Sequence, residues 1–375
     1  MNLNTYACLD IGDFYTKLVI SSYNGEKSDI LFARKTPTKG ISNGKVNSKA
    51  EANACITYLL TEADKFGLTV DEVILVLPNK TLKVSRKVAN IKLSPQDTMQ
   101  ITNNEISSLR NACMNYKIQP DDVVIDCQDI NYVIDERSIE TTSPIGMKAN
   151  AIRLNAFVYT IKEDILSELT DLLEDVHLRI KKVVINSVAC SSNLLDEEII
   201  RGAYIVDVGA TNLSISYFKG GLLTEIKEGK LAGNYITYKM SNYLDIDLEE
   251  AEQLKIKYGN ALKDTASDIN LYKANSGKLI TERMIAFAIE ESLNDIINDI
   301  NHTLDLMLVD NTNNYPLVVV GGTSALYNLE EKMQKDIANK VIVRRKSTFG
   351  ARNNVYIAAV GAGSYYNKHF NKGEI

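Results

Sequence analysis

The chain reads Leu9-Asp10-Ile11-Gly12 near its start and Val206-Asp207-Val208-Gly209 in its middle, and these two stretches decide its fold. Each follows one apolar segment and precedes another, a pattern that predicts a strand, an Asp-x-Gly turn and a returning strand. The N–H groups of such a turn point at an anion, glycine lets a phosphate approach closely, and the aspartate can hold a metal ion or its water shell. One hairpin of this kind is an ordinary turn. Two, each heading its own block of strands and helices, predict two related domains that face one nucleotide.

A glycine-rich turn late in the chain agrees with this arrangement. Leu317-Val318-Val319-Val320 has the composition of a buried strand and runs into Gly321-Gly322-Thr323-Ser324, and the pattern from Asn328 to Ile337 is helical. A strand, two glycines and a helix leave free N–H groups beside a ligand.

Composition limits the classes of protein to which the chain can belong. Its 375 residues predict two or three domains, and 45% hydrophobic with 24% charged residues is ordinary for globular proteins. A net charge of −6 without a Lys/Arg-rich block predicts no nucleic-acid partner. No apolar run approaches the roughly 20 residues of a membrane span, and no signal peptide precedes the first strand, so we expect a cytoplasmic protein. The cysteines lie singly in apolar segments, which predicts reduced core residues rather than disulfides or a zinc site. They are Cys8, Cys55, Cys113, Cys127 and Cys190.

The order of predicted elements divides the chain into four parts. An α/β domain carries an insert that breaks its alternation, and a second α/β domain carries a mainly helical insert. The longest predicted helix, from Thr281 to Leu304, has apolar residues at i, i+3 and i+4 spacing. The predicted bounds are 1–79, 161–200 and 351–375 for the first domain, 80–160 for its insert, 201–233 and 311–350 for the second domain, and 234–310 for the helical insert.

Three further motifs resemble those of one known family. The first insert contains Ser143-Pro144-Ile145-Gly146-Met147 followed by Arg153-Leu154, Gly40-Ile41-Ser42-Asn43-Gly44-Lys45-Val46 lies upstream, and Ala251-Glu252-Gln253-Leu254-Lys255-Ile256-Lys257-Tyr258-Gly259 lies downstream. With the two hairpins, their order and spacing resemble the FtsA family of bacterial cell-division proteins, part of the actin-like ATPase superfamily. The resemblance implies an α/β, actin-like (ribonuclease H-like) fold of two duplicated domains, with an inserted subdomain of the 1C type.

The resemblance also implies a site for ATP and Mg²⁺. Asp10 and Asp207 would hold Mg²⁺ through water from opposite sides. The first phosphate hairpin would contribute Gly12, Asp13 and Lys17, and the second Gly209, Ala210 and Thr211. Glu252 and Lys255 would flank the ribose and adenine, while Gly321, Gly322 and Thr323 would cover the adenine and α-phosphate. Without the family context, an exposed helical ion pair is the favoured interpretation of Glu252 and Lys255.

Departures from the family pattern lie on the catalytic side of this site. Ala210 and Thr211 replace glycines of the second hairpin, and Asp13 stands where a Ser or Thr is usual. Asn186 occupies a position where the family tends to have a Glu, and an amide hydrogen-bonds water but cannot accept its proton. We therefore expect at most a slow ATPase rather than an efficient enzyme.

The resemblance implies a cytoskeletal role. Such a protein would form head-to-tail filaments, bind the FtsZ C-terminal tail through about 234–310, and link the FtsZ ring to the inner face of the cell membrane at the division site. Because the sequence after Tyr366 is short and polar, membrane contact is expected through a C-terminal segment not present here or through a partner.

Several alternatives stay open at this point. The predicted long helix has an acidic outer face of Glu290, Glu291, Asp295 and Asp299, with Ser292 where the family tends to carry an Arg. An FtsZ tail is itself often acidic and would be repelled by such a face, so a solvated helix that has lost the FtsZ site is a nearly equal alternative. A PilM-like adaptor of a pilus assembly system is the main competitor. A sugar or acetate kinase and a chaperone fit less well, because the sequence shows neither a substrate carboxylate base nor a further domain.

Overall fold

The computed structural model describes residues 4–25, 27–93, 100–115, 119–135, 139–194, 196–274, 277–307, 314–343, 351 and 354–370. Contacts between residues group the chain into two compact units. The larger comprises Met1–Lys80, Glu168–Gly221 and Ile226–Ile375, and the smaller comprises Thr81–Ser167 with Leu222–Glu225.

The strands and helices have the following bounds. The strands are β1 (Asn4–Ile11), β2 (Tyr15–Asn24), β3 (Lys27–Pro37), β4 (Ile41–Ser42), β5 (Lys45–Val46), β6 (Glu72–Leu77), β7 (Lys83–Lys92), β8 (Asp122–Ile134), β9 (Ile139–Thr141), β10 (Ala151–Lys162), β11 (Arg179–Ile185), β12 (Ala203–Val208), β13 (Leu213–Lys219), β14 (Leu222–Glu228), β15 (Asn270–Lys273), β16 (Leu279–Thr281), β17 (Leu317–Val320) and β18 (Val341–Val343). The helices are α1 (Lys49–Asp64), α2 (Asn103–Met114), α3 (Glu163–Asp175), α4 (Asn186–Cys190), α5 (Asp196–Arg201), α6 (Gly233–Leu244), α7 (Leu248–Tyr258), α8 (Glu282–Asp305), α9 (Leu329–Asp336) and α10 (Ile357–Phe370).

The first half of the larger unit is built on a sheet with the strand order β11-β6-β1-β2-β3. β1 and β2 form an antiparallel hairpin in which Asp10 lies opposite Lys17, and β6 runs parallel to β1 with Val76 opposite Asp10. β1 is apolar and buried along most of its length, as expected for a strand covered on both faces. The register therefore brings Asp10 to the carboxyl end of β1, beside the turn.

The second half repeats this arrangement with the strand order β14-β13-β12-β17-β18. Asp207 lies opposite Ser214 on the antiparallel neighbour β13 and opposite Val320 on the parallel neighbour β17. The turn after β12 and the glycine turn after β17 consequently lie side by side. Two sheets with the same strand pattern confirm the predicted duplicated α/β architecture.

The longest helix, α8, packs its apolar face into the core of this second half. It begins after Thr281, whose hydroxyl accepts a hydrogen bond from the Met284 N–H at 3.2 Å, and it ends at Asp305. The predicted helix is thus confirmed to within one residue at each end. Side chains such as Ile289 and Ile296 are buried in the core, and each contributes about 1.5–3 kcal/mol to stability.

Ser292 lies on the buried side of α8, not on the outer face with which the sequence analysis grouped it. The residue is fully buried, and its hydroxyl donates to the Ala288 carbonyl at 2.6 Å. A serine can be buried inside a helix because its hydroxyl bonds to the carbonyl one turn earlier. Ser292 therefore lies on the core side and cannot contact a partner at the surface.

The smaller unit has its own core. Its sheet has the order β7-β10-β8-β9, and α2 packs on it through Ile106, Leu109 and Cys113. The sequence predicts two strands here, Val123–Asp126 and Asn131–Ile134, but β8 is one continuous strand. Pairing with β10 continues through the polar residues Gln128 and Asp129, with a register shift nearby. Tertiary pairing here overrides local polarity.

Short strands are the elements that the sequence did not predict. The hairpin β15–β16 lies inside the segment predicted to be helical, and β4–β5 forms a second hairpin before α1. Among the described residues, every helix is too short or too polar to span a bilayer.

Candidate functional site

A cavity of about 300 Å³ within the larger unit contains every predicted site residue in its wall. The β1–β2 turn and the β12–β13 turn form one part of the wall, and α7 and the glycine turn after β17 form another. The structure thus brings together residues from five separate segments, the fifth being the start of α4. They are Asp10, Gly12, Asp13, Lys17, Asn186, Asp207, Gly209, Ala210, Thr211, Glu252, Lys255, Gly321, Gly322 and Thr323.

Two carboxylates lie at the ends of the paired strands. Asp10 is 6% exposed, and Lys17 donates to its Oδ2 from Nζ at 2.7 Å. Burial and the nearby charge of Asp10 raise the pKa of Asp207 to about 6, although Lys17 opposes the shift. The pKa is raised chiefly because burial removes the water that would stabilise the charged carboxylate.

The donor set fits a hydrated divalent cation. Mg²⁺ prefers oxygen ligands, keeps several of its waters, and commonly binds one or two carboxylates together with phosphate oxygens. Asp10 and Asp207 supply two such carboxylates. Two carboxylates suit an ion that keeps most of its water. No cluster of three or more metal-ligating side chains occurs in the part of the chain that the structure describes.

The N–H groups of Gly12 and Gly209 each form a hydrogen bond inside their own turn. Gly12 N–H donates to the Tyr15 carbonyl at 3.1 Å, and Gly209 N–H donates to the Asn212 carbonyl at 2.9 Å. The expectation that these turn amides point at an anion is therefore wrong for both glycines. The Gly209 carbonyl also accepts from the Gly233 N–H at 2.9 Å, which ties the start of α6 to the second turn.

Asp13 joins the two turns. Its Oδ1 accepts from the Gly44 N–H at 2.8 Å, and its Oδ2 accepts from the Thr211 hydroxyl. Asp13 was predicted to lie beside phosphate, and it instead accepts hydrogen bonds from two separate parts of the cavity wall.

Glu252 and Lys255 form a largely buried ion pair. Their N–O distance is 2.6 Å, and their side chains are 17% and 12% exposed. Lys255 also donates to the Gly233 carbonyl at 3.0 Å and to the Thr237 hydroxyl at 2.7 Å, and that hydroxyl donates to Glu252. Burial lowers the pKa of Lys255. The alternative of an exposed ion pair is therefore wrong, because packing against α6 brings both residues to the cavity.

The glycine turn after β17 combines one crowded and one open position. A Cβ on Gly321, whose φ is 88°, would lie 2.5 Å from Oδ1 of Asp207. A Cβ on Gly322 would meet no atom within 4 Å. The turn is held by Ser324, whose N–H and hydroxyl both donate to the Gly321 carbonyl. A flat ligand can approach the backbone at Gly322 without obstruction.

A buried polar cluster beneath the cavity was not predicted. Asn79 accepts from the Ser187 N–H at 3.0 Å and donates to the Ser214 hydroxyl at 2.8 Å, and the hydroxyls of Ser187 and Ser216 lie 2.5 Å apart. All four residues are at most 2% exposed. The cluster ties the end of β6 and the start of α4 to β13. Serines alternating along the otherwise apolar β13 were the signal in the sequence.

Asn186 lies beside this cluster as the first residue of α4. Its side chain lines the cavity, and its Oδ1 accepts from the Cys190 thiol at 3.3 Å. An amide at this position can orient a water molecule but cannot remove its proton.

Comparison with known sequences identifies the family. A family model for "Cell division protein FtsA" matches residues 204–361, and a model for "SHS2 domain inserted in FTSA" matches residues 80–160. The cell division protein FtsA of Staphylococcus epidermidis is 24% identical over 367 residues, covering 96% of this chain and 78% of the relative. FtsA of Bacillus subtilis is 23% identical over 368 residues, covering 96% and 83%.

Comparison with solved structures supports the same fold. A chain of the PilM-PilN type IV pilus biogenesis complex aligns with a TM-score of 0.65 at 18% identity, covering 96% of this chain and 98% of that one. MreB5 of Spiroplasma citri bound to ADP aligns with a TM-score of 0.57 at 11% identity, covering 98% of each chain. These similarities show the actin-like fold. Since two models of one family match the second half and the insert, and FtsA proteins align along nearly the whole chain, the chain is a diverged member of the FtsA family of cell-division proteins.

Proposed function

We propose that this FtsA-type protein binds ATP with Mg²⁺ in the cavity of its larger unit. The observation that carries the proposal is the convergence of the β1–β2 turn, the β12–β13 turn, α7 and the turn after β17 on one cavity. MreB5, which shares the fold, has been solved with ADP and with AMPPNP. Convergent polar groups in a concave site are typical of a ligand pocket.

Each part of the wall has a role in this proposal. The Lys17 ammonium donates a charge-assisted hydrogen bond to phosphate and neutralises part of its negative charge. Asp10 and Asp207 hold the waters of Mg²⁺, which shields the phosphates when bound. The buried pair of Glu252 and Lys255 binds the nucleoside.

Hydrolysis is proposed to be slow. Asn186 lacks the basicity to activate water, and the second turn carries side chains at Ala210 and Thr211 where glycines would let it approach a phosphate closely. Steady-state phosphate release should stay well below the order of 1 s⁻¹ that is typical of enzymes. A faster rate would contradict this part of the proposal.

Nucleotide binding is tested by isothermal titration calorimetry with Mg²⁺ and ATP. Lys255→Ala should weaken binding, because it removes the buried ammonium at the nucleoside end. Lys257→Ala is the matched control, since this lysine is exposed on the same helix and should bind like the wild type. Absence of wild-type binding to both ATP and ADP at millimolar concentration would refute the proposal.

The proposed cellular role is a filament-forming link between the FtsZ ring and the inner face of the cell membrane. In this proposal the bounds 1–79, 161–200 and 351–375 form subdomain 1A, 80–160 forms 1C, 201–233 and 311–350 form 2A, and 234–310 forms 2B. Head-to-tail contacts between identical subunits make open filaments unless a rotation closes them. The membrane is reached through a C-terminal segment or a partner.

The acidic side of α8 is less available to an FtsZ tail than its sequence suggests. Asp299 accepts from the Leu231 N–H at 2.9 Å, Glu290 accepts from the Lys263 N–H at 2.8 Å, and Asp295 accepts from the Tyr235 hydroxyl at 2.5 Å. Three carboxylates thus hold neighbouring segments in place, and Glu291 is exposed. The oxygens of these three carboxylates are engaged within the subunit, although their negative charge remains.

Two measurements test this role. Electron microscopy with nucleotide should show filaments, and titration with the cognate FtsZ tail peptide should show binding. Filaments without peptide binding would mean a division protein with another partner. If neither activity appears and a pilus assembly protein co-purifies, the role is that of a PilM-like adaptor.

A further inference from the structure

The contact between Asp13 and Thr211 spans the two turns of the cavity. Thr211 donates its hydroxyl to Oδ2 of Asp13, and the Gly44 N–H holds Oδ1 at 2.8 Å. The carboxylate is therefore fixed in position by donors on both of its oxygens. Among the described residues, no Lys or Arg nitrogen forms an ion pair with Asp13, so none of these cations neutralises its charge.

Three carboxylates and two lysines line this end of the cavity, and the second lysine, Lys35, lies over the Tyr15 ring at 3.7 Å. Asp10, Asp13 and Asp207 line the two turns, and the Lys17 ammonium lies 2.7 Å from Asp10. A bound Mg²⁺ would act at Asp10 and Asp207, which leaves the Asp13 carboxylate facing whatever enters between the turns. Like charges at short distance in a partly buried site repel strongly.

The length of the phosphate chain decides whether a nucleotide meets Asp13. With the nucleoside held at Glu252, Lys255 and the open backbone of Gly322, the phosphates extend towards the two turns. The outermost phosphate of the longest chain reaches farthest between them. A terminal phosphate placed there would compete with the hydrogen bond between Asp13 and Thr211 and would have a carboxylate as its neighbour.

We propose that Asp13, held by Thr211, makes the site select a nucleoside diphosphate over a triphosphate. The inference rests on the proposed nucleotide binding and specifies its ligand. Asp13 takes up the space between the turns that a terminal phosphate needs. A diphosphate leaves the contact between the turns intact, whereas ATP binds only by displacing it.

The test is isothermal titration calorimetry of ADP and ATP at constant Mg²⁺. For the wild type, ADP should bind at least about tenfold more tightly than ATP, which corresponds to about 1.4 kcal/mol. Asp13→Ser removes the charge and the bridge, and should raise the ratio of ATP to ADP affinity at least about tenfold. Asp13→Asn keeps the shape and an acceptor oxygen without the charge, and should raise the ratio as well.

Asp64→Ser is the matched control, because it removes an exposed carboxylate at the end of α1 and should keep the wild-type ratio. Thermal unfolding of each variant establishes that it is folded. If wild-type ATP binds as tightly as ADP, or if both Asp13 variants keep the wild-type ratio, the inference is wrong while nucleotide binding stands. If the wild type binds neither nucleotide, the proposed function itself fails.

Discussion

Replacement of Gly321 by alanine should destabilise the protein far more than the same change at Gly322. Gly321 has φ 88° and ψ 175°, a region that only glycine adopts readily, and a side chain there costs about 1–3 kcal/mol. The new Cβ would also lie 2.5 Å from Oδ1 of Asp207 and 2.6 Å from the Val208 carbonyl oxygen. Relieving such overpacking costs typically about 1–3 kcal/mol more, for a total of about 4 kcal/mol.

Gly322→Ala is the matched control one residue away. Its Cβ would meet no atom within 4 Å. A glycine replaced by alanine at a compatible site gains about 0.4–1 kcal/mol, because the unfolded chain loses freedom. The methyl group would stand in the wall of the cavity, so this variant should be stable but bind nucleotide more weakly.

Thermal unfolding of the unliganded proteins by circular dichroism measures the difference. At about 2–4 °C per kcal/mol for a large domain, the Tm of Gly321→Ala should fall by about 10 °C, while that of Gly322→Ala should stay within a few degrees of the wild type. Equal Tm values for the two variants would refute the close approach of the glycine turn to Asp207.

Three further predictions concern the floor of the cavity. Lys17→Ala removes the ammonium 2.7 Å from Asp10 and should weaken nucleotide binding in calorimetry; unchanged affinity would exclude Lys17 from the phosphate site. Since the pKa of Asp207 is raised to about 6, its carboxyl holds its proton longer than in the unfolded chain, which costs stability as pH rises through about 4 to 6. At pH 8, the free energy of unfolding of Asp207→Asn, measured with denaturant, should therefore exceed that of the wild type by up to about 3 kcal/mol. At pH 4 this difference should vanish; a difference independent of pH would contradict the reasoning. Asn79→Ala leaves the Ser187 N–H and the Ser214 hydroxyl without their partner in the buried cluster and should cost about 2–4 kcal/mol in denaturant unfolding; a cost below about 1 kcal/mol would show that water replaces the amide.

Local pattern was sufficient to predict the main elements. Composition and periodicity indicate three features directly. They are the apolar strands around Asp10 and Asp207, the apolar face of α8, and the glycine turn after β17. The family motifs then placed the site residues in order. Where the sequence was wrong, as for the break in β8 and the missed β15–β16 hairpin, pairing with another strand decided the outcome.

The sequence by itself determined that two similar hairpins and a glycine turn exist and which residues they carry, because turns and amphipathic faces depend on neighbours a few positions away. Only the tertiary structure decided what those residues contact. Glu252 and Lys255 have the spacing of a surface pair, and packing against α6 buries them at the cavity. Asp13 and Thr211 are 198 positions apart, and no local pattern records that their side chains meet. Contacts of this kind depend on how the two halves pack, and that packing is fixed by all of the buried surface together.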